Sequence, residues 1–293
     1  MYQVGFIGVG KIGLPICRNL IERGVSVIGY RRSSLAEFEA AGGVAAGSAA
    51  EVAEKAEVVF SCVPDEAALD EVIQGEAGVA GVVRPGQIVV EFGSHPLPAL
   101  QRQEAALTAR GAVFLDGEVS GTPGMVAARK AVIYLGGDKA ACEAIAPLVD
   151  AFAPGWYHFG PIGTAATVKL INNLLVIVNI AATAEAMALA LKTDVDPATL
   201  IKAVSEGSGG STQFAIRAPW MAEGRFMPAQ GEFQQLAHYF DLIGDFAKDV
   251  GSATPLMNCA AELYRRGIAD GMGAMDVAGM IEVIRALPQR AAA

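Results

Sequence analysis

The 293-residue chain is 53% hydrophobic and 18% charged, with 22 basic against 31 acidic side chains and a formal net charge of −9. That balance excludes a mainly disordered chain, and 34 glycines without a three-residue period exclude a collagen-like one. The acidic excess offers no basic patch for nucleic acid and no attraction to anionic lipid, and the length fits one or two domains.

The chain opens on MYQVGFIGVG, where glycines interrupt the apolar run and no basic segment precedes it, so no leader peptide is expected. Residues 3–7 read as a strand, 14–23 as a helix, 25–29 as a second strand and 34–41 as a helix capped by Ser33 or Ser34. Further strands are expected over 58–63, 88–91, 113–115 and 131–135, the last stopped by Gly136-Gly137. These runs are nearly all apolar rather than alternating. Strands of that kind belong to a mostly parallel sheet covered on both faces.

The pattern changes after Gly160-Pro161-Ile162-Gly163. Residues 164–191 contain no Pro or Gly and predict one helix of about 42 Å at 1.5 Å per residue, or two shorter helices with a kink. The helix is apolar almost all round, and a small domain can hardly bury it alone, which points to a dimer. Its longest uninterrupted apolar stretch, 174–182, contains Asn179 and falls short of a membrane span. Asp196-Pro197 starts the next helix, 206–211 is a loop, and helices follow over 233–246, 255–266 and 275–287, with a frayed tail at 288–293. The fold class is therefore an α/β dinucleotide-binding, Rossmann-like N-terminal domain (1–162) and an all-α C-terminal domain (163–293), joined by the long helix.

Gly8-Val9-Gly10-Lys11-Ile12-Gly13 follows a strand and opens a helix. In that context the three glycines make the tight turn, admit a pyrophosphate and let helix pack on strand. NAD would call for an acid at the end of the second strand. Tyr30-Arg31-Arg32-Ser33-Ser34 stands there instead, and its guanidiniums and hydroxyls suit a 2′-phosphate, so NADP is favoured over NAD. The loops after the next two strands, with Val63 and Pro64 in one and Ser94 and His95 in the other, should flank the nicotinamide ribose. The expected cofactor residues are Gly8, Gly10, Lys11, Ile12, Gly13, Arg31, Arg32, Ser33, Val63, Pro64 and Ser94; His95 reads as a loop polar group.

Lys169, Asn172 and Asn173 lie near the start of the long helix, and Lys169 and Asn173 share a face. An amine in apolar surroundings costs desolvation unless it has a task. Proton transfer to or from a substrate hydroxyl is such a task.

With these residues in place, the chain resembles the β-hydroxyacid dehydrogenase family, whose members include 3-hydroxyisobutyrate dehydrogenase and tartronate semialdehyde reductase. The segment from Asp116 to Thr122, DGEVSGT, is similar to the family's DAPVSGG, and Gly136-Gly137 matches the glycine pair after it. The segment from Gly160 to Asn173 is similar to GxxGxGxxxKxxNN. The resemblance implies that Lys169 is the catalytic acid/base and that Asn173 orients the substrate. It also implies that Ser120, Gly121 and the backbone at Thr122 bind a substrate carboxylate or hydroxyl, and that the chain is a homodimer or homotetramer.

Several positions depart from the family pattern. Thr122 and Ala165 replace glycines, Arg129-Lys130-Ala131 stands where the family often has glycine, and Glu91 and Gly93 replace the aspartate and serine of DxST. Phe240, in Phe240-Asp241-Leu242, takes the place of the lysine of a later KDL motif, which makes the expected substrate pocket more apolar. The resulting expectation is a cytoplasmic, NADP-preferring oxidoreductase. It would pass hydride between nicotinamide and a 3-hydroxy acid or semialdehyde, in the cleft between its domains. An imine reductase-like enzyme and a catalytically silent NADP-binding protein remain as alternatives. Cys17, Cys62, Cys142 and Cys259 show no CxxC and read as core thiols of a reducing compartment. His95, His158 and His238 are too scattered for a metal site, and no GxSxG elbow is present. Nucleic acid and membrane are not expected partners.

Overall fold

The computed structural model describes residues 3–288. The expectation of a frayed tail falls, beyond Pro288, outside them. The chain divides after Lys169 into two units.

The first unit runs β1 (Gln3–Ile7), α1 (Gly13–Glu22), β2 (Ser26–Tyr30), α2 (Ala36–Ala40), β3 (Val44–Ala45), α3 (Ala49–Lys55), β4 (Val58–Ser61), α4 (Glu66–Gln74), β5 (Ile88–Glu91), α5 (Leu97–Thr108), β6 (Val113–Ser120), α6 (Pro123–Ala127), β7 (Val132–Gly137), α7 (Lys139–Val149) and β8 (Trp156–His158). One sheet holds all these strands in the order β3-β2-β1-β4-β5-β6-β7-β8. Neighbours are parallel except β6 and β7. The central strands β1, β4 and β5 are buried on both faces, which accounts for their mostly apolar sequences. On one face Phe6, Phe60, Phe92 and Phe152 meet edge to face, with ring centroids 5.3–6.3 Å apart. On the other, Ile7, Ile28, Val59 and Val89 pack under Val52, Leu69 and Leu100.

β6 extends five residues past its expected end, because antiparallel pairing with β7 carries it from Leu115↔Gly137 to Ser120↔Val132. The helix expected over 34–41 shrinks to α2, with Ser34 Oγ accepting from the Ala36 amide at 3.3 Å. The thiol expectation also needs correcting: Cys17 and Cys142 are buried, but Cys62 is half-buried and Cys259 exposed, and all four are free.

α8 (Thr164–Ala190) is a single unbroken helix of 27 residues. By length and mean hydropathy it could cross a membrane, unlike its longest uninterrupted apolar run. The second unit continues with α9 (Pro197–Glu206), α10 (Thr212–Glu223), α11 (Phe233–Asp249), α12 (Pro255–Gly267) and α13 (Met280–Arg285). Ile177, Ile180 and Met187 of α8 join Trp220, Phe233 and Tyr264 in its core. Asp196 caps α9 as its sequence predicts, accepting from the Thr199 amide at 2.8 Å. The helix expected from 275 begins only at Met280. Asp276 is drawn out of it by the buried Arg217 guanidinium, 2.7 Å away, and by the amides of Gln230, Gly231 and Ala278.

Candidate functional site

In an open parallel sheet, ligands bind beyond the carboxyl ends of the strands where the strand order reverses. Here that point lies between β1 and β4. A cavity of ≈ 730 Å³ opens there, a volume within the usual range for ligand sites. Its lining includes Gly8, Gly10, Lys11, Ile12, Gly13, Arg31, Arg32, Ser33, Val63 and Pro64. Ser94, expected with them, does not line it. Its hydroxyl turns to β6 and donates to Glu118 Oε2 at 2.7 Å.

The turn fits its ligand for steric reasons. Gly8 has φ +86°, and a Cβ there would lie 2.2 Å from the Cys62 carbonyl oxygen. A Cβ on Gly13 would meet Gly8's carbonyl oxygen at 2.4 Å and the Phe6 ring at 2.6 Å. At Gly10 an added Cβ would come no nearer than 4.0 Å to Gly8's carbonyl oxygen, so that side of the turn is open to approach. α1 then starts without a side-chain cap at Ile12. An uncapped first turn with a positive dipole end is a fitting cradle for a pyrophosphate. Arg31 is folded over the turn, donating to the Val9 carbonyl at 2.7 Å and to Ser33 Oγ at 2.6 Å. Arg32 reaches the cavity edge, where its Nη1 lies 3.5 Å from Glu71 Oε2. Glu71, on α4, also lines the cavity, and the sequence reading had not singled it out.

A second polar centre lies at the far ends of β5 and β6. Lys169 is 9% exposed, and its ammonium donates to the Val119 carbonyl. It therefore sits against the DGEVSGT segment. The start of α8 is fixed by Asp116, whose Oδ2 accepts from the amides of Gly163 (2.8 Å), Ala165 (3.1 Å) and Ala166 (3.2 Å). Burial pushes this carboxyl up to about 6, against those hydrogen bonds and the field of His95. Glu91 is fully buried and ties the loops together, accepting from Ser61, from the amides of Val63 (3.2 Å) and Gly93 (2.6 Å), and lying 3.3 Å from His95 Nε2. His95 is thus a buried partner of Glu91.

Ser120 is half-buried at the end of β6, and Gly121 packs against Ala131. The Thr122 hydroxyl caps α6, accepting from the Met125 amide at 3.3 Å. Arg129 pairs with Glu22 at 2.7 Å and donates to the Ala151 carbonyl, on the outside of the first unit. In the second unit Asn173 is buried, and its Oδ1 accepts from Asn172 Nδ2 at 3.1 Å. Phe240 packs its ring on Tyr264 at 5.6 Å, within the helical core. Besides Asp116, the acids at these two places are Glu71, which lines the cavity, and the buried Glu91 and Glu118. Of these the sequence reading marked only Glu91, as a departure from a motif.

Comparison with known proteins identifies the family of the fold. Residues 3–160 match the family model for the NAD binding domain of 6-phosphogluconate dehydrogenase. Residues 163–284 match the model described as NAD-binding of NADP-dependent 3-hydroxyisobutyrate dehydrogenase. The chain is 30% identical over 284 residues to the NAD-dependent L-serine dehydrogenase of Pseudomonas aeruginosa, covering 94% of this chain and 95% of that protein. It is 28% identical over 287 residues to 2-(hydroxymethyl)glutarate dehydrogenase of Eubacterium barkeri, covering 96% and 94%. A crystal structure of 3-hydroxyisobutyrate dehydrogenase from Salmonella typhimurium superposes with a TM-score of 0.85 at 28% identity, covering 97% of this chain and all of that one.

Proposed function

This chain belongs to the NAD(P)-binding dehydrogenase family of 6-phosphogluconate and 3-hydroxyisobutyrate dehydrogenases, and on that premise we propose an NADP-preferring enzyme that interconverts a 3-hydroxy acid and its semialdehyde or keto form. The chain is an NAD(P)-dependent oxidoreductase acting on the CH–OH group of a small hydroxy-acid-type substrate.

One observation carries the finer reading. The only lysine in the stretch resembling the catalytic motif is buried and held against the strand that bears Ser120. When bound, the nicotinamide cofactor supplies or accepts the hydride. Lys169 takes the hydroxyl proton as the alcohol is oxidised and returns it when the carbonyl is reduced. Ser120, Gly121 and the Thr122 backbone hold the substrate's carboxylate or hydroxyl, and Asn173 orients it. Phe240, in place of the family's lysine, favours a less charged substrate. Arg31, Arg32 and Ser33 favour the 2′-phosphate of NADP, because a guanidinium offers a donor fork to phosphate oxygens. Gly8, Gly10, Lys11, Ile12 and Gly13 hold the pyrophosphate, and Val63 and Pro64 flank the ribose. We assign cofactor binding to residues 1–162 and substrate contacts and dimerisation to 163–293. Ile171, Leu175 and Leu189 support self-association, since they leave an apolar stripe on α8 that is 52–70% exposed. A cytoplasmic setting fits the four free thiols.

The test is a rate panel of small semialdehydes, keto acids and cyclic imines with NADPH and with NADH. Turnover of one or more semialdehydes or keto acids, with kcat/KM higher for NADPH, is expected. Turnover confined to cyclic imines, or on none of the panel, would overturn the reading.

A further inference from the structure

Strand β6 carries a buried carboxyl that the function above leaves without a task. Glu118 is 1% exposed and stands where the family motif DAPVSGG has proline. Filling that space with apolar atoms would cost nothing electrostatically, whereas a buried carboxyl needs partners. One of its oxygens accepts from Ser94 Oγ at 2.7 Å. The carbonyl of the very next residue, Val119, holds the Lys169 ammonium.

The charged and titratable groups around it come from every neighbouring element. Lys169 of α8 favours the carboxylate, while Asp116 of β6 and Glu91 of β5 oppose it. Cys62, after β4, feels Glu91, Glu118 and Lys169 together and is held as a thiol, chiefly by burial. His95 Nε2 lies 3.3 Å from Glu91 Oε1.

We propose that Glu118 is a positioning residue for Lys169: its carboxyl, aimed by Ser94, sets the ease with which the lysine gives up its proton. The proposal rests on the reading of Lys169 as acid/base. Ionised, Glu118 stabilises the neighbouring ammonium and so the proton-donating form used in carbonyl reduction. Protonated, it withdraws that stabilisation and leaves the amine readier to accept a hydroxyl proton. Burial, opposed chiefly by Lys169, pushes the Glu118 carboxyl up to about 8, so its charge changes within the working range of such an enzyme.

The experiment measures kcat/KM for carbonyl reduction across pH for wild type, Glu118→Gln and Lys169→Ala. Glutamine keeps the shape and the bond to Ser94 but carries no charge. In Glu118→Gln the basic limb is expected to move to lower pH by about half a unit or more, a shift equivalent to a several-fold change in ionisation. A limb that stays in place, whatever the height of the profile, would make Glu118 a packing residue and overturn the proposal. An inactive Lys169→Ala beside an unmoved Glu118→Gln profile defeats this proposal alone. A Lys169→Ala enzyme that still turns over defeats the functional reading, and this proposal with it. Should Glu118→Gln fail to fold, the wild-type carboxyl is followed by ¹³C NMR with labelled glutamate. A buried glutamate titrating well above pH 6 supports the assignment, and titration of every glutamate in the ordinary range contradicts it.

Discussion

At the cavity edge one side chain opposes the cofactor preference that the neighbouring residues favour. Arg32 is a candidate ligand for a 2′-phosphate, yet its guanidinium lies 3.5 Å from the Glu71 carboxylate on α4. A phosphate must compete with that carboxylate for Arg32 and be repelled by it as well. Both side chains are largely exposed, so solvent and salt screen the effect and keep it modest. Glu71→Gln should lower KM for NADPH on the order of threefold at low salt and leave KM for NADH within about twofold. Equal changes with both cofactors would remove Glu71 from the discrimination. At the same scale, Arg129 explains one departure from the family pattern. Its φ is +54°, a conformation natural to glycine, and the chain keeps an arginine there that pairs with Glu22.

The elements that proved legible were those whose sequence alone decides their burial. β1 and β5 match their expected bounds because strands covered on both faces are mostly apolar along their length. α8 follows from a stretch without Pro or Gly, and α9 from its Asp-Pro start. β3 and β8 escaped notice because they are two and three residues long and partly exposed, and α10 carries a proline that masks its helical pattern. The start of α13 depends on an ion pair between residues 59 apart in sequence, which no local pattern records. The site follows the same division. Glycines and Lys169 were visible as motif residues, whereas Glu118 and Glu71 acquire their meaning only from neighbours on other elements.

The element on which the site depends is the start of α8, and its anchor is Asp116 on β6. Three amides at that helix end donate to one carboxylate oxygen. Asp116→Ala would leave them buried without an acceptor, at a cost on the order of 3 kcal/mol in urea unfolding. A loss below about 0.5 kcal/mol would show that the helix end is held by other contacts.

On the scale of the whole molecule, an acidic chain presents a nucleotide cradle of backbone amides and a few arginines and, on the proposed reading, a reaction centre around one buried amine. Its overall negative charge does not help a phosphorylated cofactor approach, so affinity must come from the local geometry of β1, α1 and the end of β2. The cradle and the amine are separable by mutation, because Lys169 is not among the residues lining the nucleotide cavity. The most direct measurement is therefore made on Lys169→Ala, comparing NADPH affinity by fluorescence titration with turnover of the best carbonyl substrate. NADPH affinity within about twofold of wild type, together with kcat reduced at least a hundredfold, is the predicted result. Near-normal kcat with the substitution in place would contradict the role given to this lysine.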